Sequence, residues 1–448
     1  MLAEEDVTDV SDVKVDTDKE EEEEEVAEQP ETVEIIVSDP QNLGEGRTKT
    51  TSYLVEVKPI ESSLSPGLIP RSCVRRRYSD FRWLYNSLQV ERAGAIIPIL
   101  PHTHALTQTH RFSKDLIAER LVSMNRFLFR VVHHPELMDA GCLATFLRAD
   151  NEAFESGKKE VGWGNGSDQG TEEEVCSSPR EKIRHAIAKG VKAMAVKTGK
   201  AELEETEDDP HFRLIEEYVQ NLDVYVKEIA KESKNFVSES HKHADTIEHL
   251  SKSLFSLSVT ETKEEETVQT PADSNGDASD GLGGSAILRR MSDRLNTVRE
   301  KATQRAYLEH IKFDEPMAEL ERDVQAVKLA LQRRKDKQMT YTTRIQQIKN
   351  RQNALEKLRN NPKPGNEEKL RKTEADIYLA KDAAKSALED LEKVSKRVMR
   401  EMDRFKADMH EVVRVSLTDF AEVQIDFGHK MIEAWESTVD PGPKIEAV

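Results

Sequence analysis

Arg75-Arg76-Arg77-Tyr78-Ser79-Asp80-Phe81 is the stretch on which the reading of this chain turns. Cys73–Tyr78 is β-rich, and Phe81, Leu84 and Leu88 then recur at helical spacing. Three arginines therefore stand at the end of a strand, with an aromatic residue at the start of a helix. A guanidinium grips phosphate with two parallel N–H donors, and a ring packs beneath a polyol face, so the arrangement can form a phosphate-and-ring pocket. It can equally be a solvated strand edge, because arginines commonly guard edges. Spacing alone leaves both open.

Outward from this stretch, Thr32–Val37 and Tyr53–Val57 read as two more strands. Leu116 to Phe129 and Leu143 to Leu147 read as helices. Residues 32–150 thus form an α+β domain of ordinary size. Inside it, Ile96-Ile97-Pro98-Ile99-Leu100-Pro101 is an extended PxxP segment, and Arg120 lies on a helix. His102, His104 and His110 have no carboxylate or cysteine converging on them in sequence, so no metal site is assigned.

Residues 1–31 include six consecutive glutamates, Glu20 to Glu25, and too little apolar surface to offset ordering entropy, which predicts a disordered acidic tail. The chain has 448 residues and a formal net charge of −19. Residues 1–34 and 261–285 carry most of that charge, leaving the remainder near neutral. A polyanionic partner is therefore not excluded by the total. Three cysteines far apart, Cys73, Cys142 and Cys176, exclude a disulfide scaffold and a CxxC zinc site, and predict a reducing, cytosolic setting. No run of 18 apolar residues is present.

Residues 151–179 are polar and Gly/Ser-rich, a predicted linker. From 180 onward the pattern is helical. One apolar seam runs Phe212, Ile215, Val219, Leu222, Val226, Ile229, Ser233, Phe236, Ser240, His243, Ile247, Leu250, Leu254, Leu257. The alternation of 3 and 4 is that of a heptad seam, about 70 Å long. A polar stretch at 259–285, acidic and Gly/Ser/Asp-rich, is read as a disordered insert. A second seam runs from Phe313 through Leu331 to Leu355, with Pro316 expected to bend its helix. Asn360-Asn-Pro-Lys-Pro-Gly-Asn366 is a turn. A third seam runs from Ile377 through Phe405 to Trp435. Three long antiparallel helices over 203–438, followed by a tail at 439–448, make a bent bundle with seams long enough to call for a second copy.

Two basic features flank these seams. In residues 180–200, Ile183, Ile187, Val191 and Met194 share one face and lysines lie opposite, the pattern of a helix in a membrane interface; a short helix packed on protein is the other reading. The turn between the second and third helices concentrates Lys357, Arg359, Lys363, Lys369, Arg371 and Lys372, where each base near anionic lipid contributes on the order of 1 kcal/mol. No nucleophile–base pairing, phosphate-cradling glycine loop or metal motif is seen, and the basic segments lack the stacking aromatics of a nucleic-acid site. The expectation is a protein that is not an enzyme, with no cofactor, no metal and no nucleic acid.

Taken together, the Arg-Arg-aromatic-x-Asp-Phe run, the PxxP segment and Arg120 resemble a phox-homology (PX) domain, opened by Val37-Ser-Asp-Pro40 and closed by Thr145-Phe-Leu-Arg-Ala-Asp150. With the amphipathic segment and the three helices, the chain resembles a PX–BAR sorting nexin. Lys252-Ser-Leu-Phe-Ser-Leu257, Phe313-Asp-Glu-Pro316, Arg404-Phe405-Lys406 and Ala434-Trp435-Glu436 are similar to the branch of sorting nexins one and two with its plant and yeast counterparts. The resemblance implies a three-stranded antiparallel sheet with helices, then an all-α dimeric BAR bundle. It implies that Arg77 binds the 3-phosphate of a phosphoinositide, that Tyr78 stacks beneath the inositol ring and that Arg120 bonds ring hydroxyls. It implies that the PxxP loop meets the membrane, with Thr103 at the position where the family usually has a lysine for the 1-phosphate. The implied partners are phosphatidylinositol 3-phosphate, anionic membrane and a homo- or heterodimer mate, with retromer and cargo tails as further candidates. The implied setting is the cytoplasm and the cytosolic face of early endosomes, and the implied role is tubule formation for endosome-to-Golgi transport. An autophagy or recycling sorting nexin, and a soluble coiled-coil scaffold whose PX domain binds protein, are the alternatives.

Overall fold

The computed structural model describes residues 33–43, 50–59, 72–100, 114–160, 203–268, 284–360 and 366–436. The acidic tail, Thr103, Lys363, the segment of Ile183, Ile187, Val191 and Met194, and the tail at 439–448 lie outside them.

The N-terminal domain is a sheet of β1 (Val33–Leu43), β2 (Thr50–Pro59) and β3 (Ser72–Arg77), antiparallel in the order β1-β2-β3. The register sets Val37 opposite Val55, Tyr53 opposite Arg76 and Ser52 opposite Arg77. Period-two alternation turns Ile35, Val37, Tyr53, Val55 and Val57 to one face. They pack against α1 (Tyr78–Glu91), α2 (Lys114–Val132) and α3 (Gly141–Arg148) through Phe81, Leu84, Leu88, Met124, Phe127, Leu128 and Phe146. Asn125 of α2 clasps β1 twice. Its Oδ1 accepts from the Val37 amide at 2.7 Å and its Nδ2 donates to the Val37 carbonyl at 2.8 Å.

The domain does not end at Asp150. The expected linker opens with a helix, α4 (Asn151–Glu160), whose Phe154 is 2% exposed and meets Trp83 and Phe146 edge-on. A single aromatic on an otherwise polar ten-residue stretch is enough to dock it, because the ring fills a place in the core that nothing else occupies.

The helical part is α5 (Asp209–Val268), α6 (Gly284–Glu309), a π-helical turn at His310–Asp314, α7 (Glu315–Asn360) and α8 (Asn366–Glu436). Since α6 and α7 are continuous through the π turn, this is the expected set of three long helices. Where a bend was expected the helix takes a π turn: Pro316 lacks the amide that would close onto Lys312, and just before it the Glu315 amide bonds the His310 carbonyl. Helix α5 runs ten residues into the stretch read as disordered from 259, and α6 starts at Gly284. Threonine and serine hydroxyls back-bond to the helix there, as Thr262 does to the Ser258 carbonyl at 2.8 Å.

The seam of α5 also differs from its expected line. Ile229, Phe236, Leu250 and Leu257 are 47, 43, 51 and 47% exposed, and His243 is exposed too, while Ala230, Val237, Ala244, Ser251 and Ser258, one residue further on, are buried. The inward line keeps Val226, Ser233, Ser240 and Ile247 and takes, at the other seam position, the smaller residue that follows. Small side chains then bring α5 and α6 close. The Ser251 hydroxyl donates to the Ser292 carbonyl at 2.9 Å.

Candidate functional site

At the junction of β3 and α1 the three arginines have three different fates. Arg75 turns back along the sheet, its Nη1 2.9 Å from Asp39 Oδ2 and its Nη2 donating to the Asp39 carbonyl at 2.7 Å. Asp39 has φ of 45°, in the bulge between Ser38 and Gln41, so Arg75 holds a kinked strand in place. Arg76 points into the core at 1% exposure. Its Nε donates to the Phe146 carbonyl at 2.9 Å, its Nη2 to the Ala149 carbonyl at 2.5 Å, and its guanidinium lies 4.1 Å over the Phe154 ring. Burial pulls its pKa down, opposed by the nearby Asp80, Glu155 and Asp150. Only Arg77 is exposed, and among the described residues no ion pair holds it. Of the three arginines at the strand end, Arg77 is thus the one that faces solvent.

Arg77 is fixed by its backbone. It caps α1 with extended angles, and its amide donates to Asp80 Oδ2 at 2.8 Å. Asp80 is 5% exposed and its other oxygen takes Lys158 Nζ at 2.8 Å. The acid of the motif thus sets the strand-to-helix corner from which Arg77 and Tyr78 project. The Arg120 guanidinium of α2 lies 4.5 Å over the Tyr78 ring. Tyr53, fully buried on β2, stands beside it: burial pushes the Tyr53 phenol up and the charge of Arg120 opposes that. Tyr78 and Arg120 are thus in contact, and Arg77 immediately precedes Tyr78 at the corner. Tyr53 was missed, although alternation along β2 placed its polar tip inward beside an arginine strand.

The PxxP segment departs from expectation. Ile96, Ile97, Pro98 and Leu100 are buried. Ile96 belongs to the core cluster of the helical bundle with Val324, Val327, Val394 and Val398, and its amide donates to Glu401 Oε2 at 2.9 Å. Gly94 at φ 90° lets the backbone lie on α8, where a Cβ would stand 3.0 Å from Val394 Cγ1. This half of the loop is committed to protein, not lipid. Around it runs a polar seam. Glu401 also meets His134 Nε2 at 3.0 Å, Arg397 Nε donates to Glu136 at 2.9 Å, and Arg130 Nη1 lies 2.7 Å from both Glu319 and Asp323. The two domains are thereby joined as one body.

At the far turn, Lys357, Lys369, Arg371 and Lys372 are exposed, whereas Arg359 is paired with Glu374 at 2.7 Å. The core of the other half is smaller: Ala244, Ile247, Leu295, Val298, Ala302 and Ala434, with Leu254, Phe427, Met431 and Trp435 packed against them. Large apolar side chains stand exposed in that half, among them Phe255, Ile287, Tyr307, Leu417, Ile425 and Ile432. Among the described residues no group of three or more His, Cys, Asp or Glu could hold a metal ion, and no helix is long and apolar enough to cross a membrane.

The family model described as "Vps5 C terminal like" matches residues 187–440, and that of the PX domain matches residues 70–150. Sorting nexin 1 of Arabidopsis thaliana is 26% identical over 419 residues, 92% of each chain. Human sorting nexin-3 is 36% identical over 122 residues, 26% of this chain and 73% of that protein. The cryo-EM structure of the SNX-BAR Mvp1 tetramer aligns with TM-score 0.49 and 16% identity over 91% of this chain and 100% of that one.

Proposed function

This chain belongs to the sorting nexins that join a PX domain to a Vps5-like helical region, trafficking scaffolds rather than enzymes, and on that premise we propose that it is a peripheral protein of endosomal membranes. It binds a 3-phosphorylated phosphoinositide, dimerises through its bundle and shapes the bilayer into tubules for cargo return toward the Golgi. The observation that carries this reading is the cluster of Arg77, Tyr78 and Arg120: an exposed guanidinium at a capped strand-to-helix corner, beside a ring that a second guanidinium overlies. Arg77 supplies charge-assisted donors to a phosphate, and Tyr78 a flat apolar face to the inositol.

The dimer mate covers the exposed apolar side chains of the half of the bundle with the smaller core, among them Phe255, Ile287, Tyr307, Leu417, Ile425 and Ile432. Two pockets on one rigid dimer then bind with an effective concentration that neither site has alone. The segment of Ile183, Ile187, Val191 and Met194 supplies a wedge. It rejoins the bundle at a fixed point, because Asp209 at the start of α5 takes Arg334 Nη2 at 2.7 Å and Gln338 Nε2 at 2.7 Å.

The test is sedimentation with vesicles that differ in phosphoinositide and in diameter. Preference for 3-phosphorylated headgroups and for small diameters is expected. A soluble scaffold whose PX domain binds protein gives no sedimentation with any vesicle.

A further inference from the structure

Tyr378 is 75% exposed, the highest value among large hydrophobic side chains of the described residues, and its neighbour Leu379 is 64% exposed. Both lie on α8, three turns after the basic turn. The inner face of the helix is already filled here, since the flanking Ile377 and Ala380 are 8 and 6% exposed. Tyr378 and Leu379 are therefore surplus to the packing of the chain on itself, and apolar surface left in water calls for a partner.

The surroundings identify its chemistry. Arg371 lies seven residues before Tyr378, and Lys381 and Lys385 follow at three and seven, all on its face and all exposed. Lys372 stands in the same relation to Leu379. Asp382 and Glu374 are exposed acids on this face, Glu374 being held by Arg359, and Lys385 lies 3.9 Å from Glu389. Residues 349–385 hold ten bases and six acids. An aromatic and an aliphatic side chain set among lysines and arginines match the boundary of an anionic bilayer, where tyrosine keeps its hydroxyl in water and its ring in the acyl region.

A second copy does not reach this spot if it covers the thinly cored half. On α8 the next large exposed apolar residue is Val412, about 50 Å further along the helix. Leu379 also precedes Arg397 by eighteen residues, about five turns, so it lies on the side of α8 that holds the PX domain. We infer that Tyr378 and Leu379 are an apolar anchor that enters the interface of an anionic membrane beside the turn of the bundle. This rests on the membrane reading above. It adds to it a contact that charge alone does not supply.

The experiment uses the full chain with vesicles of phosphatidylcholine, phosphatidylserine and phosphatidylinositol 3-phosphate, made with or without brominated acyl chains. In Tyr378→Trp, bromine should quench fluorescence beyond the quenching of the native tryptophans, because the new indole enters the acyl boundary. The double variant Tyr378→Ser/Leu379→Ser should bind about tenfold more weakly, with an unchanged salt dependence, since the basic residues remain. A bound Tyr378→Trp protein with no added quenching overturns the anchor while leaving the proposed function standing. So does a double variant that loses self-association in the absence of lipid, which would make this patch a contact between copies. Wild-type protein that sediments with no vesicle overturns both.

Discussion

Arg76 and Phe154 lie face to face at 4.1 Å, a cation on an aromatic ring inside the core of the PX domain. This contact separates Arg76 from its neighbour Arg77, which alternation along β3 sends to the opposite side. The two arginines should therefore fail in opposite ways when removed. Arg76→Ala strands the carbonyls of Phe146 and Ala149 and should cost about 2–4 kcal/mol, seen as a lower melting temperature. Arg77→Ala should melt like wild type and lose vesicle binding. Equal melting temperatures for the two would refute the division.

Phe154 of α4 joins the core of the domain from beyond Asp150. A fragment ending at residue 160 should be more stable than one ending at 150, and Phe154→Ala in the full chain should cost about 3–5 kcal/mol. Denaturant midpoints of the two fragments decide it, and coincident curves would return α4 to the linker.

The seam between PX domain and bundle should weaken in acid. Burial pushes Glu401 up, but His134, the Ile96 amide and Arg404 more than offset it and hold its carboxyl below the usual range. Glu136, against Arg400 and Arg397, and Glu319, against Arg322, Arg130 and Arg126, are likewise held low despite burial. A carboxylate depressed in the folded state stabilises it fully above its unfolded value near 4.5 and loses that contribution as pH falls through the folded value. Asp323, pushed up by burial, works the other way. Stability should thus be flat near neutrality and fall below about pH 4.5, less steeply in Glu401→Gln. A melting profile of Glu401→Gln that parallels wild type in acid would count against it.

Gly94 lets the loop lie on α8. Gly94→Ala sets a Cβ 3.0 Å from both Val394 Cγ1 and the Val394 carbonyl, at a backbone angle of 90° that side chains resist. The variant should melt lower by roughly 1–3 kcal/mol of strain, and small-angle scattering should show a PX domain displaced from the bundle. Unchanged scattering and stability would mean that the loop is not a docking element.

The dimer should come apart without unfolding. Ile425 and Leu250 are 61 and 51% exposed in the single chain, so Ile425→Glu with Leu250→Glu costs the fold little. Across a dimer interface the same pair buries two charges per copy, which the interface does not tolerate. Sedimentation at micromolar concentration should give monomer, with circular dichroism unchanged. A dimer that survives both changes would locate the interface elsewhere.

Local rules in the chain decided most of the architecture. Alternation determined three strands, and the seams determined three long helices. Pro316 signalled the break in regular α-helix that the π turn at His310–Asp314 makes, and the run from Arg77 to Phe81 determined a strand-to-helix corner. Each of these follows from neighbours within a few residues, where backbone geometry dictates which side chains share a face. Tertiary structure alone decided what each face meets. It assigned Arg75 to the sheet, Arg76 to the core and Arg77 to solvent, although all three read alike in the chain. It buried Ala230, Val237 and Ser251 in place of Ile229, Phe236 and Leu250, because close packing of α5 on its neighbours favours smaller side chains over larger ones. It turned Ile96 from an expected lipid contact into a joint with α8, since the partner surface of Val394, Val398 and Glu401 lies some three hundred residues away in the chain. Periodicity reports that a side chain wants burial; only the folded chain specifies against what.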